Sequence, residues 1–270
     1  MYNPRLTPFI FNGRDLSPYL LVTNVSREIV PKRAVQTQQV SAQTLVAPYG
    51  FEPMTLKVTC TLMEESMQDT ADARRMLAEA LYTQEPKKLL LPDERGTYYY
   101  ALYAGGATPQ ELVKYPEVEL EFFVPDPIAY GGHHKETIQP HGDGVTEDTI
   151  LVGGTYPTKP IITFTVGKSA TATQIVTLIE MMNKTTGKKI SLTGSFKSNQ
   201  VVEIDCELER VTVSDFTMKK YPNGEEMVKT NTRDIAPDIE SDFFDIKDGD
   251  TLYHSPSIYK YTIEWDERFL

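Results

Sequence analysis

Hydrophobic and polar residues alternate over several short stretches of this chain, the two-residue period of strands with one buried face. The clearest stretch begins at Val118: Val118, Leu120 and Phe122 point one way, and Glu117, Glu119 and Glu121 the other. Met54, Leu56, Val58, Cys60 and Leu62 repeat the pattern. Residues 9–11, 20–29, 89–91 and 98–103 read as further strands, punctuated by Asn12-Gly13, Pro31 and Asp93-Glu94-Arg95-Gly96. Residues 15–19 read as a one-turn connector and 105–115 as a loop. Residues 36–46 have β-propensity but poor alternation, as on an edge or a surface that a partner covers. One helix is expected. Ala73, Met76, Leu77, Ala80 and Leu81 recur on a single face, Asp69 or Thr70 caps the start, and Pro86 stops it.

After residue 124 the pattern breaks. Pro125 and Pro127 lack backbone donors, and Gly131-Gly132 follows, a stiff and then flexible exit. This predicts a boundary between two domains, 1–130 and 131–270. In the second, strands are expected at 149–152, 161–166, 175–182, 189–192, 201–208, 210–213, 242–246 and 257–265. Helical periodicity competes at 175–182, but β-branched content and the turn Thr185-Thr186-Gly187-Lys188 favour a hairpin. Tyr259, Tyr261, Ile263 and Trp265 share one face of the last strand, and Lys260, Thr262, Glu264 and Asp266 the other. The fold class is mainly β: a β-rich α+β N-terminal domain with one helix, then a β-sandwich or jelly roll.

The 270 residues lie near the size at which single cores stop growing, which agrees with two domains. A net charge of −11 argues against nucleic-acid or anionic-membrane binding, since both need clustered Lys and Arg. The start has no apolar signal region, and the longest apolar run, 98–104, is too short to insert in a membrane. Cys60 and Cys206 each lie on an apolar strand face in different domains, so they read as core thiols and not as a disulfide.

No residues read as catalytic, cofactor-binding or metal-binding. His133, His134 and His141 match no zinc spacing and read as a solvated loop after a Gly-Gly linker. Asp245, Asp248 and Asp250 around Gly249 lack the order of a calcium loop, and Asp248-Gly249 reads as a turn. The glycine pairs at 105, 131 and 153 precede no Lys-Ser/Thr and open no helix, so they cradle no phosphate. Glu64-Glu65 and Glu225-Glu226 read as exposed caps of strands and turns, and Trp265 as core.

Several stretches, in order, resemble the distal tail protein (Dit) family of long-tailed siphophages. The opening Phe9-Ile-Phe-Asn-Gly-Arg-Asp-Leu-Ser-Pro-Tyr-Leu-Leu-Val22 is similar to that family's first hairpin. So are Ala73-Arg-Arg-Met-Leu-Ala78, Glu85-Pro86 and Tyr99-Tyr100-Ala101. Phe122-Phe-Val-Pro-Asp-Pro-Ile-Ala-Tyr130 resembles the family's F-x-C-x-D-P-Y-A-Y ending, with Val124 in place of Cys and Ile128 in place of an aromatic. Thr185–Ile190, Val202–Cys206, Asp242–Gly249 and Ile263–Leu270 continue the likeness. The family's Gly-Arg-Asp-Gly-type turn has no counterpart in 31–51.

The resemblance implies a non-enzymatic virion protein of the phage tail tip, assembled in the bacterial host cytoplasm. The first domain would close into a homo-hexameric ring, and a galectin-like sandwich would lie on the ring's outside. The ring would be a baseplate hub between the tail tube protein and tail-tip, tail-associated or receptor-binding proteins. Residues 36–46 and 98–118 are the expected subunit contacts, and carboxylates would keep phosphate from sticking to a DNA conduit. The absence of a long insertion in the second domain implies no large gripping arm. The rival reading is a carbohydrate-binding module of a host-adhesion device, which needs exposed aromatics on a concave sheet. A glycosidase is more remote and needs paired carboxylates in a cleft.

Overall fold

The computed structural model describes residues 8–40, 43–63, 67–106, 115–138, 147–166, 175–198, 200–221, 224–256 and 258–270. The chain divides into two compact units: Met1–Gly131 with Phe269–Leu270, and Gly132–Arg268. The fold is mainly β, with a single helix among the described residues.

Unit 1 contains β1 (Ile10–Phe11), β2 (Arg14–Asp15), β3 (Leu20–Ser26), β4 (Arg33–Val40), β5 (Gln43–Phe51), β6 (Met54–Leu62), α1 (Met67–Leu81), β7 (Lys87–Leu90), β8 (Tyr99–Gly105) and β9 (Glu117–Val124). Seven strands form one antiparallel sheet in the order β2-β1-β7-β8-β9-β6-β3. Asn12 and Gly13 both have positive φ, 52° and 75°, the geometry of the tight turn that joins β1 to β2. In β9, Val118, Leu120, Phe122 and Val124 are buried, while Glu117 and Glu119 are exposed. Phe122 sits at the centre of the core, its ring 5.3 Å from Phe11, 5.8 Å from Tyr103 and 6.3 Å from Phe9.

Helix α1 forms where periodicity places it but starts earlier than expected. Asp69 and Thr70 lie inside its first turn, so neither is the cap. It buries Ala73, Ala80 and Leu81; Leu77 is half-buried, and Met76, expected on that face, is exposed. A face this narrow follows from two alanines, which reach little of the sheet.

Unit 2 holds β10 (Ala129–Ile138, entering from unit 1), β11 (Glu147–Thr149), β12 (Ile161–Val166), β13 (Ile175–Asn183), β14 (Lys188–Lys197), β15 (Gln200–Asp205), β16 (Arg210–Tyr221), β17 (Gly224–Ile235), β18 (Thr251–His254) and β19 (Ile258–Phe269). They form a six-stranded sheet, β10-β19-β12-β15-β16-β17, and a four-stranded one, β11-β18-β13-β14. Both sheets contribute to one core: Phe164, Val202, Val213 and Ile263 from the first, and Ile179, Met181, Leu192 and Leu252 from the second. This is a two-sheet sandwich.

Several expectations are corrected here. Gly131-Gly132 is not a flexible exit but lies within β10, which pairs β19. His133 and His134 therefore sit on a strand and not in a loop; His141 lies outside the described residues. Residues 242–246 are irregular apart from a bridge between Ile246 and Thr158. β17 and β18 were not foreseen, and Glu225 and Glu226 belong to β17, opposite Lys220 and Lys219 of β16. β15 accompanies β16 only as far as Asp215, so 216–221 and 224–229 form a two-stranded extension among the described residues. Glu64-Glu65 and most of the loop at 105–115 lie outside the described residues.

Candidate assembly surfaces

Residues 36–46, read as one edge segment, span a hairpin. β4 and β5 pair with each other from Arg33↔Phe51 to Val40↔Gln43, and with no other described strand. The outward-directed amides and carbonyls of both strands are thus not used by the chain's other sheets, a template for an added strand. At its base Ile29, Val30 and Val35 are exposed, Ile29 at 96%. The second expected contact, 98–118, is placed differently. β8 and β9 lie inside the seven-stranded sheet with neighbours on both sides, so neither offers a free edge.

Unit 1 also carries an apolar groove of about 270 Å³ between α1 and the sheet, lined by Leu20, Leu62, Leu77, Leu81, Tyr103 and Leu120. It exists because the alanine face of α1 does not reach all of the sheet. Tyr82, which also lines it, is 78% exposed. A second feature is aromatic. Tyr98 and Tyr130 stack with centroids 5.8 Å apart, and Tyr100 meets each edge-on at 5.5 and 5.3 Å. The Lys88 ammonium lies 4.1 Å from the Tyr98 centroid, and Tyr130 Oη donates to Asp126 Oδ2 at 2.7 Å. The Tyr98/Tyr100 spacing marks a shared strand face; nothing in the sequence pairs Tyr130 with them.

The charged side chains are mostly tied to partners. Lys57 bridges Glu119 and Glu121 at 3.1 and 2.6 Å on the exposed face of the sheet, and those carboxylates hold its ammonium pKa above the ordinary value. Arg14 and Glu79 pair at 2.7 Å, which raises the arginine and lowers the glutamate. Arg27 binds Asp93 and Glu94, and Glu94 also accepts from Tyr99 Oη. Burial pushes the Tyr99 phenol up to about 12.

The residues weighed for chemistry are dispersed. Cys60 and Cys206 are fully buried free thiols in separate units, pushed by desolvation up to about 12. Asp248 lies in a turn and accepts from Val152 and Gly153 amides at 2.6 and 2.8 Å. Asp250 is buried, accepting from Asn183 Nδ2 at 2.8 Å. Trp265 is 5% exposed, its Nε1 donating to Val152 O at 2.8 Å, so its ring is no open sugar platform. Among the described residues no three or more His, Cys, Asp or Glu side chains are grouped to hold a metal ion, and no helix is long and apolar enough to cross a membrane.

The chain is thus mainly β, with one sheet-and-helix unit, one two-sheet sandwich and a hairpin that pairs with no other described strand. Residues 153–269 match the family described as siphovirus-type tail component, C-terminal domain, and residues 49–124 match the phage tail protein RIFT-related domain. The chain belongs to the siphovirus-type tail-component family, that of the distal tail proteins. It is a virion-associated tail protein. Its fold is similar to the crystal structure of SPP1 Dit (gp 19.1), described as a paradigm of hub adsorption apparatus in Gram-positive-infecting phages. The TM-score is 0.71 at 19% identity, covering 97% of this chain and 99% of that one. Chains of the phage P2 baseplate in its activated conformation, with Ca or with Sr, align at a TM-score of 0.43, with 8% and 9% identity, over 94% of this chain and 92% of theirs. A comparison with curated proteins gives no match.

Proposed function

We propose that this tail protein is a structural hub with no catalytic role. Unit 1 closes with copies of itself into a hexameric ring. The ring joins the tail tube to tail-tip or receptor-binding proteins, and unit 2 is a galectin-like sandwich that offers them a docking surface. The observation that carries the reading is the β4–β5 hairpin, whose strands pair only with each other among the described residues. Strand addition between subunits satisfies its outer backbone groups, and a heterologous contact of this kind closes a ring when its rotation closes. The likeness in fold to a described hub protein over nearly the whole of both chains supports the same reading.

Light scattering and negative-stain microscopy of the purified chain test it. Six copies of a 30.5 kDa chain give a ring of about 183 kDa. Thr44→Pro removes a donor from β5 opposite Gln39 and is expected to yield a folded monomer. An unchanged T44P ring rules out that strand as the contact, and a wild-type monomer at high concentration overturns the ring. Specific capture on a glycan array would instead favour a carbohydrate-binding module.

A further inference from the structure

Unit 1 carries an apolar corner and an apolar groove at opposite ends of the same pair of strands. The corner is the link from β3 to β4, where Ile29 is 96% and Val30 62% exposed. Adjacent apolar side chains left so fully in water contribute nothing to the core and mark a contact surface. The corner is also held stiff. On one side Arg27 is tied to Asp93 and Glu94. On the other, Glu52 N donates to Lys32 O at 2.8 Å. Pro31 is buried and biases Val30 toward an extended backbone. Little freedom is left to lose when a partner covers these side chains.

The groove lies at the other end. β3 pairs β6 from Leu20↔Leu62 to Ser26↔Lys57. Leu20 and Leu62 line the groove. Ile29 follows just beyond Ser26 and lines a small recess with Met54, the first residue of β6. At the usual rise per residue, β3 holds the two ends about 20 Å apart. The corner therefore cannot fill the groove of its own chain, but that of a second copy can. The fit is one of size and of charge. About 270 Å³ takes two branched aliphatic side chains. Arg74 is the one charged residue among the described residues that line the groove. Glu28 directly precedes the corner, and its own tie to Lys32 is loose at 3.8 Å.

We propose that Ile29 and Val30 of one copy plug the groove between α1 and the sheet of the next, with Glu28 beside that copy's Arg74. The inference rests on the ring proposed above and adds a one-way key to the hairpin contact. Plug and groove are different surfaces of one chain, so copies join head to tail, the contact that generates a closed ring when its rotation closes.

The test separates plug from groove. Ile29→Asp puts a carboxylate on a side chain that touches almost nothing in its own chain, and Ala78→Trp fills the groove from an exposed helix position that lines it. Each is expected to weaken the junction about a hundred-fold. Light scattering is run where the wild type is assembled, with thermal unfolding by circular dichroism to check that both variants fold; A78F replaces A78W should that one not. Each variant alone is expected to be a monomer. Mixed in equal amounts they have one good plug and one good groove between them, so they should stop at pairs of 30.5 kDa chains, about 61 kDa. A mixture that stays monomeric, or that regains the full ring, overturns the plug. An I29D chain that still closes its ring also overturns it, leaves the corner and the groove to other tail proteins, and leaves the ring standing. A wild-type monomer overturns ring and plug together.

Discussion

Gly154→Ala is expected to be among the most damaging single-atom changes in unit 2, and Gly187→Ala supplies its control. The two glycines have nearly the same backbone, φ +78° and +76°. Each therefore incurs the left-handed penalty of a Cβ, about 1–2 kcal/mol. What differs is the space. A Cβ at Gly187 meets nothing within 4 Å, whereas at Gly154 it would run into Arg268 O and lie 3.0 Å from Arg268 N. Both obstacles are backbone and cannot rotate away. The loop must lift, and it is held by Thr155 N and Tyr156 N donating to that same Arg268 oxygen at 2.9 and 3.0 Å. Losing two such bonds costs about 1–3 kcal/mol in all. G154A should therefore lose about 2–5 kcal/mol and G187A about 1–2, a central difference of about 2 kcal/mol or roughly thirty-fold in the unfolding constant. Urea titration followed by Trp265 emission measures both in one unit with one reporter. Equal losses within about 0.5 kcal/mol would refute the steric argument and leave only the backbone penalty.

Phe122→Ala, which removes the ring that Phe9, Phe11 and Tyr103 surround, should destabilise unit 1 by about 3–5 kcal/mol; near-ultraviolet circular dichroism of the tyrosines in a denaturant titration checks it. Cys60 and Cys206 should resist a thiol reagent at pH 8 in the native protein and react promptly in guanidinium, since burial keeps both protonated. Their contribution has a definite sign. The folded thiols titrate at about 12 against an ordinary value of 9.0, so their stabilisation is intact below pH 9 and declines between pH 9 and 12. Alkaline unfolding measured at pH 8, 10 and 11 tests that order.

The longer strands of the unit 1 sheet were legible because one face is buried and the other wet, whereas the two-residue β2, exposed throughout, falls where a turn and a connector were expected. β6 and β9 carry strict alternation, and β6 is paired on both sides, by β3 and β9. β17 was invisible for the opposite reason. It is the outer strand of its sheet, and its part from Lys229 to Arg233 is exposed throughout, so no apolar period marks it. Gly131-Gly132 misled because glycine favours flexibility locally, while pairing with β19 fixes the backbone. That pairing is a long-range fact, and with it went the contacts of His133 and His134. Met76 fits the helical period of Leu77 and Ala80, but how much of a helix face a sheet covers depends on side chains far along the chain. The segment 36–46 was half legible: its β-propensity showed, but its division between two paired strands did not.

The alternation of β9 has a consequence for how the chain finds its fold. A slip of one position against β6 would turn Glu117, Glu119 and Glu121 inward and send Val118, Leu120, Phe122 and Val124 out to water. Lys57 would lose both of its carboxylates in the same step. Burying three unpaired anions is so unfavourable that the misaligned ladder cannot accumulate. The strand thus proofreads its own alignment, without help from the turns at its ends.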